Sequence, residues 1–141
     1  METSEVRRHV TQTIERARSA AAARRARADE ARRDFAVFLE TIAVPVMRQV
    51  AGALKAQSYS FTVFTPSDGV RLMSDRAQQD FIELSLDTSG DEPRVIGRVS
   101  RERGRRLIET ERPVAEAPVA ALTDEDVLKF VVKELEPFVE R

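Results

Sequence analysis

From Met1 to Val44 the chain contains neither glycine nor proline, and Ala and Arg are its commonest residues there. Both are strong helix formers and nothing in the stretch breaks a helix, so one long N-terminal helix is the constraint every fold must satisfy. Thr3 or Ser4 is placed to cap it, with Glu5 suiting the positive end of the helix dipole. Small or apolar residues recur with alternating three- and four-residue spacing at Val10, Ile14, Ala17, Ala21, Ala28, Ala31, Phe35, Phe38 and Ile42, interrupted by Arg24. Such a heptad stripe is the seam of a coiled coil.

The stripe changes character along its length. Between Ala17 and Ala31 it is nearly all Ala, which allows close approach of another helix but buries little area; from Phe35 onward it is bulky. We therefore expect residues 1–34 to be a projecting or partner-pairing arm and 35–141 a single α+β domain onto which Phe35–Ile42 docks. An isolated Ala/Arg helix is only marginally stable in water, so a partner for the arm is the economical reading. The candidate pairing stripe is Val10, Ile14, Ala17, Ala21, Ala28 and Ala31.

Pro45 removes a backbone donor and crowds the preceding turn, so a kink or restart is predicted there, followed by a second helical piece to about Ala56 with Val46, Met47, Val50 and Leu54 on its apolar face. The apolar period then switches to two. Strands are predicted around Tyr59–Phe64, Val70–Ser74, Phe81–Asp87, Arg94–Ser100 and Arg105–Arg112, separated by Thr65–Gly69, Thr88–Pro93 and Arg101–Gly104. Short strands on short turns make an antiparallel meander of four or five strands. Phe64, Phe81, Ile96 and Ile108 fall opposite the main apolar set, which suggests a second covered sheet face or a sheet-mediated dimer. After a linker holding Pro113 and Pro118, Thr123 and Asp126 resemble a capping box. Val127, Leu128, Val131, Leu135 and Phe138 then line a C-terminal helix packed on the sheet, with Pro137 weakening its last turn.

At 141 residues, 42% hydrophobic and 33% charged, the chain fits one core with a heavily charged surface. Its net charge of −1 argues against a generally basic nucleic-acid binder. The charge is uneven: residues 1–34 hold nine Arg against six acids, and residues 109–141 hold nine acids against four bases, so the two ends are complementary within a chain or between chains. Cys is absent, which removes disulfides, thiolate nucleophiles and Cys-based zinc sites. Arg outnumbers Lys 20 to three, a bias that GC-rich coding explains without invoking phosphate. Met1–Ala23 lacks the apolar core of a secretory signal, and Glu40, Pro45 and Arg48 sit badly at the centre of a bilayer span. A cytoplasmic protein without membrane attachment is the expectation.

No catalytic constellation, cofactor fingerprint or metal set emerges. The lone His9 lies on the helical arm, Asp124–Asp126 sit where acids stabilise a helix N-terminus, and the glycines at 90 and 104 suit hairpin turns. The densest basic feature is Arg98, Arg101, Arg103, Arg105 and Arg106, a candidate patch for an anion or an acidic partner, though a solvated hairpin guarding a sheet edge is the favoured reading. On the arm, Glu5, Glu15, Asp29, Glu30 and Asp34 are mixed among the Arg, with Asp29 and Arg33 four apart, as on a coiled-coil surface. The order helix, meander, helix is similar, as an order of elements alone, to small dimeric chaperone-like proteins of secretion systems. The expected function is a non-enzymatic adaptor or chaperone-like protein, homodimeric and binding another protein, with no cofactor. Nucleic-acid association through the Arg-rich helix and the 98–106 hairpin, or a small-molecule pocket between sheet and helices gated by Arg71 or Arg98, are the alternatives.

Overall fold

A computed structural model describes residues 1–140. Helix α1 (Thr3–Phe38) runs for 36 residues, about 54 Å at 1.5 Å per residue. It begins one residue earlier than the Thr3 or Ser4 cap implies: Glu2 occupies the cap position and makes no side-chain capping bond. Pro45 does not break the helix. It has no N–H to offer Thr41, and the chain accommodates this by widening into a π turn over Leu39–Ala43, where the Val44 N–H donates to Leu39 O. Helix α2 (Val44–Ala56) continues directly from it. A Schellman motif ends α2: Ser58 takes a positive φ of 69°, its N–H donates to Lys55 O, and the Tyr59 N–H donates to Leu54 O.

Five strands follow as an antiparallel meander in sequence order: β1 (Phe61–Phe64), β2 (Gly69–Ser74), β3 (Phe81–Asp87), β4 (Arg94–Arg103) and β5 (Arg106–Pro113). A short 3₁₀ turn at Val119–Ala121 leads into α3 (Asp124–Val139). The capping box is present: the Asp126 N–H donates to Thr123 Oγ1 at 3.2 Å, and the Thr123 N–H returns to Asp126 Oδ2 at 3.0 Å. Pro137 lies within α3, which continues past it to Val139. The architecture is α+β in two layers, with the helices on one face of the sheet.

That inner face holds Val70, Leu72, Ile82, Leu84, Val95 and Val99, all buried, against Met47 of α2 and Val127 and Val131 of α3. Leu128 was expected in this set and is instead exposed, whereas Phe130, outside the expected stripe, is buried. The cause lies in β4. A Cβ on Gly97 would fall 2.1 Å from the Phe130 ring, so this glycine vacates the space that the ring occupies. The apolar surface of α3 thus spreads over two directions, one toward the sheet and one beside α2.

The same long helix supplies Phe35, Phe38, Ala43, Val46, Met47 and Val50 to the core. By length and composition alone, an 18-residue window within Thr3–Ala56, of mean hydropathy 1.4, is apolar enough to cross a membrane. Of that window 28% is buried within the chain.

Replacing Gly97→Ala forces a methyl into the Phe130 ring. Overpacking of this kind costs about 1–3 kcal/mol, so urea unfolding of the variant should show a lower midpoint at unchanged slope. An unchanged midpoint would contradict this packing.

Candidate functional site

Two surfaces stand apart from the core. The first is the arm. Along α1 residues 1–20 are all exposed, Ala21 and Ala28 are half-buried, and Ala31 is the first buried residue. The domain therefore takes hold about one turn earlier than Phe35: Ala31 is part of the core rather than of a free pairing stripe. The 3₁₀ turn packs against this stretch, and Arg27 Nε donates to Asp91 O at 3.2 Å, tying the base of the arm to the β3–β4 turn. Beyond that base Val6, Val10 and Ile14 lie one turn apart and are 45%, 52% and 44% exposed. Val6 joins the row from outside the expected stripe. Its four-residue spacing from Val10 was the available signal.

Arginines lie all round the arm. At 100° per residue, Arg7, Arg24, Arg25 and Arg32 fall on the side of the Val10–Ala28 stripe and Arg8, Arg16 and Arg33 on its back, while Glu5, Glu15, Asp29 and Glu30 fall to its flanks and back. Asp29 pairs with Arg32 at 2.8 Å rather than with Arg33, and both partners are exposed.

The second surface is a groove of about 750 Å³ between α2 and α3. Val46, Val50 and Leu54 form one wall, Leu128, Val132 and Val139 the other, with Asp124 and Glu125 at one end. Leu128 and Val132 are 46% and 56% exposed, so the groove is an open apolar trough rather than a filled seam. Tyr59 marks its far end, where the hydroxyl donates to Val139 O at 3.3 Å. Neither wall is apolar enough by itself to announce this feature in the sequence. It arises because α2 and α3 lie side by side.

The Arg cluster is divided by the sheet. Register pairs Arg101 with Ile108 and Arg103 with Arg106, placing these four on the side that carries Val95 and Val99, on a hairpin that extends past the end of β3. Asp80 Oδ1 accepts from the Glu102 N–H at 2.8 Å where that hairpin leaves the sheet. Arg105 follows Gly104 in the turn, where φ is +64°. Arg98 points the other way.

On the outer face Arg98 and Arg71 flank Glu83: Arg71 Nε reaches Oε2 at 2.7 Å and Arg98 Nη2 reaches Oε1 at 3.3 Å. Both guanidinium groups also lie over the Phe81 ring, 4.0 and 5.2 Å from its centroid, leaving Phe81 only 7% exposed. This corrects two expectations. Ile108 belongs by register to the inner side and Phe81 is covered by its own chain's charges, whereas Phe64, 43% exposed, and Ile96 lie on the outer face as expected, joined there by Leu107. Arg71 and Arg98 likewise cannot gate a pocket between sheet and helices, because they stand on the opposite face of the sheet.

Two carboxylates have pKa values held below the ordinary range. Asp75 accepts from the Ser60 hydroxyl at 2.5 Å and the Thr62 hydroxyl at 2.6 Å, both of which favour its charged form. Asp87 is lowered by the Ser89 hydroxyl and then by the Ser89 N–H. Each bond closes a local loop and neither group lies in the groove. His9 is exposed on the arm, and no three potential metal ligands cluster among the described residues. Buried Glu134 faces Arg112 Nε at 3.3 Å, an ion pair between α3 and β5.

Compared with protein families, curated proteins and solved structures, the chain matches none.

Glu83→Gln should release both guanidinium groups and expose Phe81. The pairs are half-buried, so a loss of about 1–2 kcal/mol in chemical denaturation is expected, between the values for exposed and buried pairs. No loss would mean that the two arginines hold the ring without their shared carboxylate.

Proposed function

We propose that this chain is a non-enzymatic protein-interaction protein that self-associates through its projecting N-terminal helix. One observation carries the reading: the arm extends from its domain with Val6, Val10 and Ile14 exposed in a row. Helix nucleation is costly, and a helix of this kind draws most of its stability from burying an apolar face. Over its first 20 residues the arm has no such burial within its own chain. A partner supplies it.

The arm carries Ala and Arg around its apolar row, which permits close approach and leaves basic edges for acidic residues on the partner. Association with nucleic acid is less well supported. Glu5, Glu15, Asp29 and Glu30 accompany the arm's arginines, and the 98–106 cluster is split by the sheet.

The full chain with Val10→Glu and Ile14→Glu tests the reading. Both positions are exposed and Glu is a good helix former, so the variant should still fold, with any loss of helical circular dichroism limited to the arm's first 20 residues. Sedimentation should show the parent as a dimer and the variant with affinity weakened roughly 100-fold, as expected for losing two central apolar contacts. A parent that sediments as a monomer at every concentration would overturn self-association.

A further inference from the structure

Resting on that reading, we infer that the partner surface for the arm is the α2–α3 groove of a second copy, with two chains exchanging arms reciprocally. The groove and the arm complement each other in shape. Val6, Val10 and Ile14 repeat every fourth residue, and so do Val46, Val50 and Leu54 on the α2 wall. Val46 and Val50 are 7% exposed and form the floor, so one helix laid along the trough sets its apolar row chiefly against Leu54, Leu128 and Val132.

Charge sets the direction. Asp124 and Glu125 lie at one end of the groove, with Tyr59 and Val139 at the other. Arg18 lies just past Ile14 and flanks the apolar row, whereas Arg16 turns to the back of the helix. Seating Arg18 beside Asp124 and Glu125 runs the arm antiparallel to the partner's α2, with Ile14 near Val46 and Val6 near Leu54. The opposite direction would bring Glu2 to the acidic end.

The same direction lets the dimer close. Because α1, the π turn and α2 form one continuous helix from Thr3 to Ala56, the arm row and the groove wall lie at equal sequence distances on either side of Glu30. A single two-fold axis near Glu30 then fills both grooves at once, so the contact is closed rather than filament-forming.

The absence of cysteine allows a direct test. Two full-length variants, Val10→Cys and Ala53→Cys, each at an exposed position, are mixed after circular dichroism shows both folded, then oxidised. The inference predicts a disulfide between one chain's residue 10 and the other's residue 53, in at least roughly ten-fold excess over the residue-10 homodimer. In the exchanged dimer the two residues 10 lie about 60 Å apart along the helices, beyond any disulfide. A dominant residue-10 homodimer, or a dimer by light scattering that links at neither pair, would overturn the exchange while leaving self-association standing. A chain that is monomeric by light scattering and forms no link would overturn both.

Discussion

A long helix in water must bury one side of itself, and that requirement organises this molecule. The glycine- and proline-free run through Val44, followed by a π turn that absorbs Pro45, produces a single continuous helical element from Thr3 to Ala56. Its second half meets the requirement inside the chain, through Phe35, Phe38, Met47 and Val50 against the sheet. Its first half does not. The fold thus contains a satisfied and an unsatisfied version of the same interaction on one rod, and the proposed function follows from that imbalance.

The sheet shows a contrasting solution. Its inner face is covered by helices, whereas its outer face closes over its one large buried ring with Arg71, Arg98 and Glu83. Charged groups that neutralise each other above an aromatic ring present solvent with a polar surface. Exposed apolar side chains remain on the arm, along Leu128 and Val132, and at Phe64 and Leu107 on the sheet's outer face.

Periodicity made the elements legible because backbone geometry imposes it locally: the period of two in Phe81–Asp87 reappears as a strand, and the glycine- and proline-free run as a helix. Facing was harder to read. A hairpin turn at Gly104 and Arg105, rather than a wider one, puts Ile108 on the inner side and Leu107 on the outer. The Arg cluster looked continuous in the sequence because 98, 101, 103 and 106 are near in number; pleating sends Arg98 alone to Glu83. Phe130 could not be assigned to the core without knowing that Gly97 lies beneath it. The groove belongs to no single segment, so only the side-by-side placement of α2 and α3 reveals it.

The central claim is that the arm owes its helical stability to another chain. Amide hydrogen exchange across residues 6–20, followed over a dilution series, tests it directly. The account predicts protection at high concentration that falls on dilution, while amides of β3 and β4 stay protected throughout. Protection in the arm that is independent of concentration would contradict the claim.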